Sequence, residues 1–230
     1  MAEPVKDYET FFEALGHNFT NVELFELGLH HRSWTAENAR STSNERLEFL
    51  GDAVLGLAMT EALYENEPLQ HEGSLAKARA EVVSTDSLAD LARSLHLGRL
   101  LDLGKGEELS GGRDKDSILA DAMEAVFGAL YLDAGWERTR STIQRLLGPA
   151  AALAQDAPGS RDYKTRLQEV AAARGLDAPN YFMRSSGPDH ERTYSAVVSV
   201  GDVEATGAGQ SKKVAQQAAA KGAIAALEQS

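Results

Sequence analysis

The hydrophobic pattern of the chain changes its period once, and this change restricts the fold more than any other feature. Before residue 150 the apolar residues recur almost everywhere at helical spacing. Beyond residue 160, two helical segments, 163–173 and about 211–228, enclose three short strand-like runs with turns between them. The sequence therefore predicts an all-α domain over residues 1–150. It also predicts a small α+β domain over residues 161–230, in the order α-β-β-β-α.

Residues 151–160 are rich in Ala, Pro and Gly and have no sustained apolar pattern, so we expect a linker there. Charge differs on its two sides. Residues 1–157 carry 14 basic and 27 acidic side chains, whereas residues 158–230 carry 9 and 8. This asymmetry favours two modules with different partners. An acidic module repels phosphate unless metal ions intervene.

Composition excludes several classes of protein. The chain contains no cysteine, which rules out disulfides, thiolate zinc sites and a cysteine nucleophile. It has no apolar run near the ~20 residues that a membrane span requires. Residues 1–10 lack the apolar stretch of a secretory signal. We therefore expect a cytoplasmic protein that makes no membrane contact.

Two groups of carboxylates lie on helices that are otherwise apolar. At ~100° per residue, Glu45, Glu48 and Asp52 form one stripe, and Asp121 and Glu124 are a second pair at i, i+3. Like charges at such spacings cost a few tenths of a kcal/mol per pair, unless a cation lies between them. A cluster with only oxygen ligands prefers Mg²⁺ or Mn²⁺. The same pattern also suits solvated surface faces, and spacing alone leaves both interpretations open.

Three segments carry a resemblance to a known family. NERLEFLGD at residues 44–52 resembles the signature of the ribonuclease III family, and SILADAME at 117–124 resembles that family's second acidic segment. Residues 163–227 are similar to a double-stranded-RNA-binding domain. Their order and lengths match the short bacterial members over almost the whole chain. The resemblance implies a helical endonuclease domain followed by an α+β double-stranded-RNA-binding domain.

The resemblance also implies an activity and a site. It implies a Mg²⁺-dependent endoribonuclease, with Mn²⁺ as a substitute, that cuts double-stranded RNA into staggered ends with short 3′ overhangs and 5′ phosphates. Ribosomal RNA precursors and other structured transcripts are the expected substrates. The implied metal ligands are Glu48, Asp52, Asp121 and Glu124, and the implied catalytic residues are Glu45, Asp52 and Glu124. Glu72 matches an acidic position in the valley that a homodimer creates, and Phe49 and Leu50 lie off the stripe, where they would pack against the partner subunit.

In the second domain the resemblance implies contacts to the shape of A-form RNA. The implied contacts are Gln168 and Glu169 in one minor groove, His190 near the next, and Ser211, Lys212 and Lys213 at the phosphates between them. Gln216 stands where such domains often have a third lysine, which predicts a weaker dependence of binding on salt. Taken alone, the two lysines would also suit a solvated helix end, and His190 a surface turn.

Two other functions are compatible with parts of the pattern. One is a non-catalytic factor of the same fold that only binds double-stranded RNA. The other is an acidic helical scaffold with an unrelated tail. The presence of all five carboxylates of the two acidic segments favours the enzyme over the binding factor. Both modules are expected to act on one substrate, and this disfavours the scaffold.

Overall fold

A computed structural model describes residues 8–38, 41–66, 70–156, 163–186, 193–209 and 212–228. The chain separates into two compact units, Met1–Pro158 and Gly159–Ser230. The described part of the first unit is helical, apart from an isolated bridge between His30 and Asp102. The second unit contains the three strands. Among the described helices, none combines the length and the hydropathy needed to cross a bilayer.

The first unit has eight α-helices in its described part. They are α1 Glu9–Leu15, α2 Val22–Leu29, α3 Arg32–Glu37, α4 Glu45–Asn66, α5 Glu72–Val82, α6 Thr85–Ser94, α7 Lys105–Leu109 and α8 Asp116–Asp156. Short 3₁₀ helices occupy Leu97–Leu100 and Gly112–Asp114. The helical conformation of α8 is interrupted at Gly135, where φ is 76° and ψ is 177°. A glycine adopts this positive φ without the steric cost that a side chain would bring.

The centre of the first unit is the contact between α4 and α8. Leu55 and Met59 of α4 and Met123 and Phe127 of α8 are fully buried there. Gly51 lets the two helix backbones touch, because a Cβ atom at this position would lie 1.8 Å from the carbonyl oxygen of Glu124. Gly128 faces α4 in the same way, and a Cβ there would lie 2.3 Å from the carbonyl oxygen of Leu47. This close approach brings the acidic positions of the two helices side by side.

The predicted linker is wrong over its first six residues. Gly148 and Pro149 suggest an interruption, yet α8 continues through both of them to Asp156. A proline removes one helical hydrogen bond. Ala151 and Ala154, three residues apart, are both buried against the core, and alanine has the highest helix propensity of all residues. Burial and propensity together outweigh the loss at the proline, so the helical part extends beyond residue 150.

The second unit has the predicted order of elements. It comprises α9 Tyr163–Ala173, β1 Asn180–Ser186, β2 Thr193–Val200, β3 Val203–Gly209 and α10 Lys212–Glu228. The strands form an antiparallel sheet in the order β1-β2-β3. Its core contains Leu167 and Ala171 of α9, Ala196 and Val198 of β2, and a row of alanines on α10. The small alanine side chains let α10 lie close to the sheet. The α+β fold class is therefore confirmed.

Candidate functional site

The packing of α4 against α8 brings three carboxylates together. Glu48 of α4 and Asp121 and Glu124 of α8 each offer one oxygen, and these oxygens lie within 4.8 Å of one another. All three residues are half-buried. Three anionic oxygens this close repel one another in a partly desolvated site. A hard divalent cation such as Mg²⁺ or Mn²⁺ would remove this repulsion and would find the ligand type it prefers.

The electrostatics of this cluster agree with a missing positive charge. Burial, together with the negative charges of Asp52, Asp121 and Glu48, raises the pKa of Glu124 to about 8. Burial also raises the pKa of Glu48, with added repulsion from Asp121 and Glu45. The pKa of Asp121 is raised by burial as well. All three carboxyls are thus harder to ionise in this site than in water, and a nearby cation would compensate their charges, so the donor set fits a divalent metal.

Asp52 and Glu45 lie at the margin of the three-carboxylate cluster. Asp52 is exposed and interacts electrostatically with Glu124 and Glu48. Glu45 is exposed, and the hydroxyl of Ser43 donates to its carboxylate at 2.6 Å. Neither is among the three residues whose oxygens converge. Glu72 is exposed at the first position of α5 and is also outside this group.

The beginning of α4, which carries Glu45 and Glu48, is fixed by Asn44. This side chain is buried, and its Nδ2 donates to the carbonyl of Gly28 at 3.1 Å. Its backbone N–H donates to the carbonyl of His30 at 2.9 Å. Because Asn44 holds α4 to the end of α2, the acidic stripe has a defined position relative to the segment around His30.

That segment contributes two residues that the carboxylate spacing did not identify. The positive charge of Arg32 lowers the pKa of Glu48 and of Asp121, against the effect of burial. The Nδ1 of His31 accepts from the backbone N–H of Ser33 at 3.3 Å and lies 2.8 Å from its hydroxyl, so His31 caps α3. Neither residue shares a helix with the carboxylates. Tertiary contacts, among them those of Asn44, bring the segment to the carboxylates, and helical spacing within one helix does not predict such contacts.

The predicted RNA contacts of the second unit are partly described. Gln168 and Glu169 are exposed on α9. Lys212 and Lys213 are exposed in the first turn of α10, where the helix dipole favours an anion. His190 and Ser211 lie outside the described residues.

The raised pKa of Glu124 predicts a pH-dependent stability in the metal-free protein. The pKa lies at about 8 in the folded state and near 4.5 ordinarily, so the folded state binds this proton more tightly than the unfolded chain does. Its contribution to the free energy of unfolding is complete below pH ~4.5 and is lost as the pH rises to about 8. Urea unfolding in EDTA measures this contribution as the free energy of unfolding of the wild type minus that of Glu124→Gln. We expect this difference to decline from pH ~4.5 to about 8. A difference that does not change with pH would contradict this assignment.

The comparisons with known proteins agree with both units. Residues 21–150 match the family model described as ribonuclease-III-like, and residues 163–227 match the double-stranded RNA binding motif. Ribonuclease 3 of Mycobacterium tuberculosis is 50% identical over 228 residues, which cover 97% of this chain and 95% of that protein. Ribonuclease 3 of Thermobifida fusca is 48% identical over 206 residues, which cover 89% of this chain and 86% of that protein.

Solved structures add the fold of the first unit. The nuclease domain of ribonuclease III from Campylobacter jejuni is 40% identical with a TM-score of 0.59, and the match covers 63% of this chain and 96% of that domain. A second structure of that domain, with the same identity and TM-score, covers 63% of this chain and 98% of that one. It concerns structural flexibility in a region involved in dimer formation. The full-length similarity and the two matched domains lead to one conclusion: the chain belongs to the ribonuclease III family of endoribonucleases.

Proposed function

We propose that this protein is a Mg²⁺-dependent endoribonuclease that hydrolyses phosphodiester bonds in double-stranded RNA, with Mn²⁺ able to substitute. The observation that carries the proposal is the convergence of Glu48, Asp121 and Glu124 within 4.8 Å. When bound, the cation supplies Lewis-acid activation of water and of the phosphodiester. The double-stranded RNA binding motif at residues 163–227 supports the choice of substrate.

The acidic residues of the site have different proposed roles. Glu48, Asp121 and Glu124 would hold the cation, since each offers one carboxylate oxygen to the same point. Asp52 is exposed beside them and orients the attacking water through a carboxylate oxygen, as a general base requires access to its water. Glu45 is held by Ser43 and maintains the edge of the site.

The reaction is tested with labelled duplex RNA and with its separated single strand. Each is incubated with the protein in Mg²⁺, in Ca²⁺ or in EDTA. We expect cleavage of the duplex alone, and only in Mg²⁺. Equal cleavage of the single strand would contradict the proposed substrate. Binding of the duplex without cleavage in any of the conditions would favour the non-catalytic binding factor.

We also propose a homodimer, because an apolar groove borders the acidic stripe. Its lining includes Leu24, Leu27, Leu47, Leu50 and Leu132. Phe49, also in this lining, is 81% exposed, and Leu132 is 55% exposed. In a two-fold dimer each Phe49 would enter the partner's groove, since an isologous interface pairs the same patch with itself. The Campylobacter jejuni nuclease domain has a region involved in dimer formation, which supports a dimer in this family member as well.

Replacement of Phe49 tests the dimer. Phe49→Asp would place a charge in the apolar contact, so we expect a monomer, whereas the wild type should have twice the chain mass of 24.7 kDa. Light scattering at micromolar protein measures the mass. Leu109→Asp is the matched control, because Leu109 is 90% exposed on α7 and is not part of the groove lining. A monomeric wild type, or a Phe49→Asp variant that stays dimeric, would refute the proposed interface.

The products and natural substrates follow from this arrangement. Two equivalent sites related by a two-fold axis suit the two antiparallel strands of a duplex, so we propose staggered cuts with short 3′ overhangs and 5′ phosphates. Glu72 would line the valley between the subunits. The second unit would hold the duplex by its A-form shape through Gln168, Glu169, His190, Ser211, Lys212 and Lys213. Ribosomal RNA precursors and other structured transcripts are the proposed substrates.

A further inference from the structure

Helix α10 fixes Lys164 at the start of α9 through two glutamines. The backbone N–H of Lys164 donates to Oε1 of Gln217 at 3.1 Å, and its ammonium donates to Oε1 of Gln216 at 3.4 Å. The ammonium also lies 5.2 Å from the centroid of the Tyr181 ring. Both the backbone and the charged end of this half-buried lysine therefore have defined positions.

These contacts join the face of α9 that carries Gln168 to the first turn of α10, two surfaces that are far apart in the sequence. Gln168 follows Lys164 by four residues on α9, so the two share a face of that helix. Gln216 follows Lys212 by four residues and Lys213 by three, so it shares their face of α10. Because Lys164 touches Gln216, one continuous surface runs from Gln168 over Lys164 to the two exposed lysines.

The charge of Lys164 is available on this surface. Within the described part of the chain it forms no ion pair with a carboxylate, since its contacts are a neutral amide and an aromatic ring. By contrast, Arg166 of the same helix pairs with a carboxylate, that of Glu228 at 3.1 Å. An ammonium has three donors, and the bond to Gln216 uses one of them.

We propose that the ammonium of Lys164 binds a phosphate of the RNA duplex, and so supplies from α9 the positive charge that Gln216 does not supply from α10. This rests on the proposed function of the second unit in binding duplex RNA. Gln216 then positions the lysine, and the phosphate contacts of Lys212 and Lys213 extend across both helices. Lys164 would then offset the weaker salt dependence that Gln216 alone predicts.

The test is the salt dependence of duplex binding by the full-length protein, in Ca²⁺ so that the RNA is not cut. Loss of one phosphate contact in Lys164→Gln should lower the slope of log K against log salt by about one unit. The ratio of the Kd at 200 mM salt to the Kd at 50 mM then falls about three- to four-fold. Lys221→Gln is the matched control. Like Lys164→Gln, it removes a lysine that lies over a tyrosine ring. Residue 221 is nine residues from Lys212 on α10 and therefore points about half a turn away from it, so the salt dependence of the Lys221→Gln variant should equal that of the wild type.

A rescue variant separates phosphate binding from a purely structural role. Lys164→Gln combined with Gln216→Lys returns one ammonium to the same place from the other helix, so we expect the wild-type slope. An unchanged slope in Lys164→Gln, or no recovery in the double variant, would overturn the proposal. If the wild type itself does not bind the duplex, the proposed function fails, which is a different outcome from a slope that Lys164 does not affect.

A second measurement needs no substitution and therefore does not depend on the folding of a variant. Amine-reactive acylation of the wild type, with and without duplex RNA, is quantified at each lysine by mass spectrometry. Bound phosphate should protect Lys164 together with Lys212 and Lys213, and should leave Lys221 reactive. Acylation of Lys164 that is equal with and without the duplex would contradict the proposal.

Discussion

Glu124→Gln is expected to abolish RNA cleavage and to leave duplex binding intact. The substitution replaces one of the three converging carboxylates by an uncharged amide of the same shape, so the site would lose an anionic ligand of the proposed cation. If the cation supplies several kcal/mol to the transition state, the loss of rate is about a thousand-fold or more. Folding should not suffer, because the variant also removes a half-buried carboxyl that its neighbours repel.

The measurement compares the cleavage rate and the duplex affinity of the variant with those of the wild type. Glu137→Gln is the matched control on the same helix, because the Glu137 side chain is 79% exposed and pairs only with Arg140 among the described residues. We expect this control to cleave at the wild-type rate. Substantial cleavage by Glu124→Gln in Mg²⁺ would contradict the assignment of Glu124 as a metal ligand.

Gly51→Ala is expected to have the largest effect on stability and to inactivate the site without changing any carboxylate. Its Cβ would lie 1.8 Å from the carbonyl oxygen of Glu124, and backbone atoms in two packed helices cannot yield locally. The two helices must separate, which should lower the free energy of unfolding by about 3 kcal/mol. The same movement carries Glu48 away from Asp121 and Glu124, so cleavage should fall as well.

Gly56→Ala is the control for this prediction, because it makes the same change on the same helix. A Cβ at Gly56 meets nothing within 4 Å. Since alanine favours a helix interior over glycine by about 0.5–1 kcal/mol, this variant should be equally stable or slightly more stable. Urea unfolding and cleavage assays measure both effects. Normal stability and normal activity in Gly51→Ala would refute the close contact of α4 and α8 as the basis of the site.

The sequence predicts more of the second unit than of the site. The hydrophobic period is a local property, and it predicts a helix at residues 163–173, where the structure has α9 Tyr163–Ala173. The convergence of the carboxylates depends on tertiary packing. Helical spacing puts Glu48 and Asp52 on one helix face, and Asp121 and Glu124 on another, but it does not predict that the two helices touch. The resemblance supplied that pairing, and the structure adds its physical cause at Gly51.

Features whose cause lies in tertiary packing escaped prediction. The Gly-rich segment 104–112 has the composition of a loop, yet it contains α7. Its start is held by α3, since the hydroxyl of Ser33 accepts from the N–H of Gly104 at 2.9 Å and Glu37 accepts from the N–H of Lys105 at 2.8 Å. Arg32 lies near the acidic cluster for a similar reason. Such contacts join residues that are far apart in the sequence, so the local hydrophobic pattern does not predict them.

We propose the acidic cluster of α4 and α8 as a metal-dependent site for cutting double-stranded RNA. This proposal is tested most directly by incubating the protein with a perfectly paired RNA of a few tens of base pairs, in Mg²⁺ and separately in Ca²⁺, and by resolving both labelled strands on a denaturing gel. We expect discrete cuts on both strands, with a short 3′ stagger, in Mg²⁺ and not in Ca²⁺. Duplex RNA that is bound but intact in both metals would contradict it.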